Sequence, residues 1–255
     1  MNGSATSDLY RDITDFARTT PSWVQHLAEL WTEAGLLVFG LLFVAVWWLA
    51  RRAGSRALAL AVLAPLATAI AYVCSELSKS VLEEERPCRA VAGAGEPLIT
   101  CPPVGDWSFP SNHSTIAGAA ATALLIARPR LAYLTVPMAL LMAFSRVFVG
   151  VHYPHDVAVG LVLGAAVATL VMPAAARPVG LLVGTMRTSG ASPVRWLAGP
   201  GDRLARTARA ARPVLRVPAD GPAQADSGDT GDTGATGDSP TMSIRTPRDQ
   251  GMFRR

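Results

Sequence analysis

The stretch SRVFVGVHYPHD, residues 145–156, places an arginine, two histidines and an aspartate between two long apolar runs. Apolar runs of about 20 residues are long enough to cross a bilayer as helices. Ionisable groups at the edge of such runs are costly to bury and mark sites of function. This stretch therefore predicts a helical membrane protein whose polar site lies at one edge of the membrane.

The composition supports a membrane domain. Half of the 255 residues are hydrophobic and only 16% are charged, whereas an ordinary soluble domain carries about 25% charged residues. The apolar runs fall within residues 34–175, and the chain beyond them is polar. This distribution predicts an all-α, polytopic transmembrane helix bundle with a soluble tail. The arginines flank the apolar runs as topology signals, so we expect no nucleic-acid partner.

The apolar pattern predicts about five spans, at residues 34–50, 57–73, 111–128, 131–146 and 154–177. The arginines that follow or separate the spans collect on one side: Arg51, Arg52, Arg56, Arg128, Arg130, Arg177 and Arg187. The positive-inside rule puts that side in the cytoplasm. The chain is then expected to lie N-out and C-in in the plasma membrane, with residues 82–109 and 145–156 facing the extracytoplasmic side.

Four regions follow from this pattern. Residues 1–33 show helical amphipathic spacing interrupted by Pro21, which predicts two interfacial helices on the outer membrane surface. Residues 34–177 are the transmembrane domain. Residues 178–218 form a basic cytoplasmic segment, for which a solvated chain is favoured over one held against anionic membrane lipids. Residues 219–255 form a low-complexity, disordered cytoplasmic tail.

Two further motifs precede the opening stretch, and the first is Lys79-x6-Arg86-Pro87. Lys79 is the only lysine in a chain that otherwise uses arginine for positive charge. Seven residues are close to two helical turns, so we expect Lys79 and Arg86 on one face of one helix. Two cations placed in this way favour an anion between them.

The second motif is Phe109-Pro110-Ser111-Asn112-His113-Ser114, at the start of the third predicted span. Ser111 or Asn112 is expected to cap that helix. A helix N-terminus offers backbone N–H groups and the positive end of its dipole to an anion. His113 would then stand beside that anion.

The opening stretch is the third motif. Asp156 follows His152 by four residues and lies within reach of its ring. A carboxylate bonded to one ring nitrogen sets the tautomer and leaves the other nitrogen available as a nucleophile. Arg146 ends the fourth predicted span, and we expect it at a depth in the membrane similar to that of His113. His155 is expected to point elsewhere, as a surface histidine.

Together the three motifs resemble the pattern of the membrane-bound type 2 phosphatidic acid phosphatase superfamily: KxxxxxxRP, PSGH and SRxxxxxHxxxD. The resemblance covers roughly residues 57–175. It implies a lipid phosphatase in which His152 forms a phosphohistidine, Asp156 orients His152, and His113 protonates the leaving group. It also implies a phosphate-binding set: Lys79, Arg86, Ser111, the Asn112 backbone and Arg146. Asn112 stands where the family most often has Gly, and we expect this change to affect substrate preference more than activity.

Phosphoryl transfer needs positive charge around the phosphoryl oxygens. Two arginines and a lysine would supply that charge here, so we expect no metal and no cofactor. A zinc site is disfavoured because the spacing H-x2-H-D, with a proline inside it, gives poor ligand geometry.

The cysteines and two glycines carry separate expectations. Cys88 and Cys101 both fall in the predicted outer loop, where an oxidising compartment favours a disulfide over two free thiols. Cys74 lies in the second span and is expected to be an inert thiol. The pattern Gly160-x3-Gly164 permits close helix contact. We favour packing within the bundle, with a homodimer as the alternative.

We therefore expect a phosphoric monoester or diphosphate hydrolase acting on membrane lipids. The resemblance makes undecaprenyl or decaprenyl diphosphate the leading substrate. Phosphatidic acid, phosphatidylglycerol phosphate and a phosphorylated polyprenyl-sugar are alternatives. A lipid-binding or transport protein with a phosphate site would not need His152 as a nucleophile. Vanadate-dependent haloperoxidases have a similar set of motifs. They are soluble proteins, and the five predicted apolar spans disfavour that class here.

Overall fold

The computed structural model describes residues 4–201, and every regular element in this range is helical. The helices are α1 (Ser4–Thr19), α2 (Ser22–Ala50), α3 (Ser55–Leu82), α4 (Pro87–Ala90), α5 (Asn112–Ala127), α6 (Ala132–Phe148), α7 (Pro154–Thr188) and α8 (Ser192–Ala198). A short 3-10 turn, Pro129–Leu131, precedes α6. The predicted all-α fold is confirmed.

Helix α5 lies at the centre of the bundle, packed against α7, α3, α6 and α2. Its alanine-rich sequence lets neighbouring helices approach closely, and most of its residues are buried. A Cβ atom built on Gly118 would lie 2.5 Å from the carbonyl oxygen of Leu161, and one on Gly164 would lie 2.0 Å from that of Thr115. Gly160 and Gly164 therefore serve the α5–α7 contact inside the bundle, as favoured from the sequence.

Four segments of the described chain are long and apolar enough, by length and composition, to cross a membrane: Ser22–Ala50, Ser55–Ala90, Pro129–Phe148 and Pro154–Thr188. Helix α5, the third predicted span, has 16 residues. At about 1.5 Å per residue it measures roughly 24 Å, less than the ~30 Å of a hydrocarbon core. The chain is a multi-pass membrane protein, and the count of five spans stays a prediction.

Two predicted boundaries differ from the structure. The second interfacial helix does not exist as a separate element, because α2 continues from Ser22 to Ala50 without a proline to end it. The last span was expected to end near residue 177, but α7 runs on to Thr188. There Arg187 donates hydrogen bonds to Ser55 Oγ at 3.2 Å and to the Ala53 carbonyl at 2.9 Å, which fastens the end of α7 to the α2–α3 turn.

The N-terminal helix and the long loop after α3 both pack at the end of the bundle that carries the three motifs. The Tyr10 hydroxyl of α1 donates to the Gly150 carbonyl at 2.8 Å. The Leu98 N–H donates to the Val149 carbonyl at 3.0 Å. The predicted disordered tail, and the basic segment beyond residue 201, lie outside the described residues.

Candidate active site

The predicted site residues stand where four helices begin or end at one end of the bundle. Lys79 lies in the last turn of α3, and Arg146 in the last turn of α6. His113 lies in the first turn of α5, and Asp156 in the first turn of α7. Because α3 and α6 run toward this end and α5 and α7 run away from it, their charged termini meet.

His152 and Asp156 form a buried pair. The side chains are 2% and 0% exposed, and His152 Nδ1 lies 3.2 Å from Asp156 Oδ2. The same carboxylate oxygen accepts the Tyr153 backbone N–H at 2.8 Å, which closes the first turn of α7. Pro154 starts this helix directly after the turn, as its fixed φ favours. The four-residue spacing therefore produces the expected contact.

A serine that the sequence reasoning missed completes the pair. The Ser108 hydroxyl donates to Asp156 Oδ2 and lies 3.3 Å from His152 Nδ1. Ser108 is held in place because its own N–H donates to the Glu84 carbonyl at 2.7 Å. Its closeness in sequence to the His113 motif is the only signal that points to it.

The opposite ring nitrogen of His152 faces a cation. His152 Nε2 lies 3.1 Å from Arg86 Nη1. Burial, followed by the positive charges of Arg146, Arg86 and Lys79, holds the pKa of His152 well below its ordinary value, with Asp106 opposing them. The ring is therefore neutral at neutral pH. With Nδ1 donating to Asp156, the lone pair of a nucleophile belongs to Nε2.

Arg86 reaches the site by a different route from the one expected. Helix α3 ends at Leu82, and Glu83 adopts a left-handed conformation with φ of 42°. Arg86 has extended backbone and precedes α4, so it does not share a helix face with Lys79. The two side chains meet instead at Asp106, 3.4 Å from Lys79 Nζ and 2.8 Å from Arg86 Nη2.

Asp106 is a second residue that the sequence reasoning missed. Burial alone would raise the pKa of its carboxyl, but the hydrogen bond and charge of Arg86, together with Lys79, outweigh burial and lower it. The carboxylate is therefore charged at neutral pH. It stands in a loop without helical or strand periodicity, so spacing in the sequence gives no indication of its partner.

Arg146 approaches from the other side. Its Nη1 donates to Thr32 Oγ1 of α2 at 2.8 Å, and its side chain is almost fully buried. Among the described residues, its Nε has no hydrogen-bond partner. His113 is half-buried, and Arg146, His152, Lys79 and Arg86 lie near enough to act on its charge.

Ser111 and Asn112 begin α5, but neither caps it through its side chain. The Ser111 N–H donates to the Asp156 carbonyl at 3.2 Å, which joins the starts of α5 and α7. The Asn112 side chain turns to α3, where its Oδ1 accepts from Ser75 Oγ at 2.7 Å and its Nδ2 donates to Glu76. The expected side-chain cap is therefore wrong, and Asn112 instead links α5 to α3.

His155 is not the surface histidine that was expected. It is half-buried, and its Nε2 lies 3.0 Å from Glu84 Oε1 and 3.2 Å from Asp156 Oδ1. Its ring stacks on Tyr153 with centroids 5.1 Å apart. Within the described residues, Glu84, His155 and Asp156 are the set whose ligand atoms lie close enough together to hold a metal ion. One oxygen of Asp156 also contacts His152 and Ser108. The expectation of a metal-free site stays a prediction.

A disulfide anchors the loop that carries Asp106 and Ser108. Cys88 and Cys101 are bonded, with Cα atoms 6.1 Å apart, and Cys74 is a free thiol. Arg89 of α4 reaches the same part of the loop and donates to the Pro103 carbonyl at 3.3 Å. The loop is thus tied to α4 on one side.

Comparison with known proteins finds a family of membrane lipid phosphatases. The model of the PAP2 superfamily matches residues 59–178. An undecaprenyl-diphosphatase of Sulfolobus acidocaldarius is 38% identical over 96 residues, covering 37% of this chain and 45% of that protein. A decaprenylphosphoryl-5-phosphoribose phosphatase of Mycobacterium tuberculosis is 38% identical over 102 residues, covering 40% of this chain and 54% of that protein. The chain spans about half the length of these curated relatives.

A solved structure has the same fold. The transmembrane PAP2-type phosphatidylglycerolphosphate phosphatase of Bacillus subtilis matches with a TM-score of 0.51 at 22% identity, covering 68% of this chain and 87% of that one. At this level of identity the likeness concerns the arrangement of the helices.

Proposed function

Because the chain belongs to the PAP2 superfamily, we propose that it is a membrane phosphatase that removes phosphate from a polyprenyl diphosphate lipid. The observation that carries the proposal is the buried His152, with Nδ1 on Asp156 and Nε2 turned toward the cations. A binding protein has no need of an oriented, neutral imidazole. Both curated relatives have polyprenyl lipids in their names, which supports this substrate class.

In the proposed reaction, His152 Nε2 attacks phosphorus and forms a phosphohistidine. Asp156 and Ser108 hold the opposite ring edge and stabilise the cationic ring that results. The P–O bond to the lipid breaks, and His113, which would gain its proton as the anionic phosphate binds beside it, gives that proton to the leaving oxygen. Water then attacks the phosphohistidine, gives a proton back to His113, and releases inorganic phosphate.

The positive groups have a separate role in this proposal. Lys79, Arg86 and Arg146, with the start of α5 at Ser111 and Asn112, would bind the phosphoryl oxygens. Fixed cations aimed at developing charge stabilise the transition state in a site shielded from water. Three cations meet this need without a resident metal, which is why we expect none.

Orientation is part of the proposal. The arginines at residues 51–56, at 128–130 and at 187 stand at the opposite helix ends from the motifs. If that end is cytoplasmic, the site faces the extracytoplasmic side. A lipid phosphate at the outer leaflet would then reach it without leaving the bilayer.

One relative supports a second candidate, a phosphorylated polyprenyl-sugar, because the mycobacterial protein is named for decaprenylphosphoryl-5-phosphoribose. The two substrates share a polyprenyl tail and differ in what separates it from the terminal phosphate. Substrate comparison therefore has to vary the headgroup and the tail independently.

The test is phosphate release by the full chain in detergent with EDTA present. The lipids would be undecaprenyl diphosphate, decaprenylphosphoryl-5-phosphoribose, phosphatidic acid and phosphatidylglycerol phosphate. We expect release that survives EDTA, is fastest with a polyprenyl lipid, and falls about 10⁴-fold or more in His152→Ala, as losses of a nucleophile do. His26→Ala, an exposed histidine in α2, is the matched control and should keep full activity.

Three results would contradict the proposal. Release abolished by EDTA would point to a metal and not to unaided histidine chemistry. Equal rates in His152→Ala and wild type would mean a contaminating enzyme. A folded protein that binds these lipids and releases no phosphate would be a phosphate-lipid binding or transport protein.

A further inference from the structure

A carboxylate of the chain itself lies in the proposed phosphate site. Asp106 Oδ1 is 2.8 Å from Arg86 Nη2 and 3.4 Å from Lys79 Nζ. The backbone carbonyl of Asp106 also accepts from Arg86 Nε at 2.7 Å. The guanidinium fork that would bind two phosphoryl oxygens therefore holds two oxygens of one aspartate.

The exposure of these groups shows which belongs to the wall of the site. The side chains of Lys79 and Arg86 are 7% and 4% exposed, whereas that of Asp106 is 43% exposed. Asp106 follows a turn in which Val104 is 79% exposed and Gly105 has a φ of 89°. The cations are thus part of the buried framework, and the carboxylate reaches them from the open side on a surface turn.

The same contacts engage the nucleophile. While Arg86 is held by Asp106, its Nη1 lies 3.1 Å from His152 Nε2 and points a hydrogen at the nitrogen that must attack phosphorus. Arg86 Nη1 also donates to the Val151 carbonyl at 3.1 Å. In this arrangement Lys79 and Arg86 both bind Asp106, and the Nε2 lone pair of His152 faces a hydrogen of Arg86.

We infer that Asp106 is a phosphate mimic, a carboxylate that holds the empty site closed and that the phosphoryl group of the lipid must displace. This inference rests on the proposed function and deepens it. A phosphoryl group carries more negative charge than a carboxylate and has a third acceptor oxygen, so it competes well for a guanidinium and an ammonium. Its arrival would turn Arg86 from His152 toward phosphate and free the Nε2 lone pair.

The mimic has a consequence for turnover. Inorganic phosphate, the product, would bind to the same cations, and the returning Asp106 would help to expel it. Removing the carboxylate should therefore tighten phosphate binding. If Asp106 served only to position Arg86 and Lys79, its removal would loosen the cations and weaken phosphate binding.

The chain offers a matched pair of variants. Asp106→Asn keeps the size of the side chain and removes its charge. Glu85→Gln removes the same charge from the same loop, at a glutamate of similar exposure whose partner is Arg89. Trp107, next to Asp106, reports movement of the turn through its fluorescence, and Trp107→Phe identifies its share of the signal.

The experiment titrates the full chain in detergent with inorganic phosphate and follows tryptophan fluorescence. We expect a saturable change in the wild type that disappears in Trp107→Phe. We expect the Kd for phosphate to fall about tenfold in Asp106→Asn, a size consistent with losing one charge a few ångströms from the anion. Glu85→Gln should leave the Kd within about twofold, because its charge lies on a different arginine.

Steady-state kinetics on the best lipid separates the outcomes. The mimic predicts a lower KM in Asp106→Asn with phosphate as a stronger competitive inhibitor. A higher KM or an unchanged or higher Kd for phosphate would overturn the inference and leave the proposed function standing.

Tighter phosphate binding with no hydrolysis of any lipid would uphold the mimic and overturn the proposed function. Failure of phosphate to bind to the wild type and to Asp106→Asn would overturn the mimic. If Asp106→Asn does not fold, the Trp107 signal in the wild type still decides.

Discussion

Buried arginines stand at both ends of the bundle, and their partners differ. At the end away from the motifs, the Arg51 guanidinium lies 4.5 Å from the ring centroid of Trp48 and 4.6 Å from that of Trp196. It donates to the Trp196 carbonyl, and among the described residues it forms no ion pair. At the motif end, Arg86 contacts the imidazole of His152 and the carboxylate of Asp106.

The difference lies in what can be displaced. The acceptors of Arg51 are a backbone carbonyl and indole faces, which are fixed parts of the fold, so Arg51 holds α8 against the end of α2. One acceptor of Arg86 is a carboxylate on a surface turn, and in our proposal it leaves and is replaced by another anion. Burial alone does not distinguish these two arginines, whereas their acceptors do, and on that difference we propose a structural role for Arg51 and a functional one for Arg86.

The largest effect should come from Arg86. Arg86→Gln removes the charge that would meet the transferring phosphoryl group, and we expect kcat/KM for phosphate release to fall about 10³-fold. The assay is the same lipid hydrolysis in detergent, on protein whose thermal unfolding has been checked. A variant that kept more than about a tenth of wild-type kcat/KM would show that Lys79 and Arg146 are sufficient and that the contrast between the two ends is overdrawn.

A smaller effect, of another kind, is expected from Arg51. Arg51→Gln loses the contacts with the tryptophan rings and weakens the bond to α8, so the free energy of unfolding should fall by about 1–2 kcal/mol. Denaturant unfolding in detergent measures this change, and kcat/KM should stay within about twofold. Arg52→Gln, at the exposed neighbour, is the control and should be neutral in both. A loss of activity in Arg51→Gln without a loss of stability would mean that this end also takes part in function.

The smallest effect should come from Asn112. Asn112→Gly restores the residue that the family most often has and removes the bonds to Ser75 and Glu76. We expect KM to change about threefold, by different factors for lipids with different headgroups, because the start of α5 loses two side-chain hydrogen bonds to α3, one of them to a carboxylate. Parallel KM measurements on undecaprenyl diphosphate and phosphatidic acid test this. Equal KM ratios for all lipids would show that Asn112 does not influence substrate preference.

The sequence by itself determined the helices and the contact between His152 and Asp156. Long apolar runs form helices in a membrane, because a helix pairs all of its backbone N–H and C=O groups within one segment. The four-residue spacing between His152 and Asp156, with Pro154 in between, determines a contact within one helical turn. The structure places the Asp156 carboxylate beside the His152 ring as expected. The helix termini that carry Lys79, His113 and Arg146 were likewise expected at one end of the bundle.

Only the tertiary structure decided what the loops contribute. Asp106 and Ser108 lie in a segment without periodicity, and their partners Arg86 and Asp156 are 20 and 48 residues away in the chain. The sequence put Arg86 on the face of Lys79, but the left-handed turn at Glu83 ends the helix first. Local spacing determines contacts within about two turns of a helix, because the backbone repeats there. Contacts across a loop depend on where the chain returns, and here packing, a disulfide and buried charge set that path.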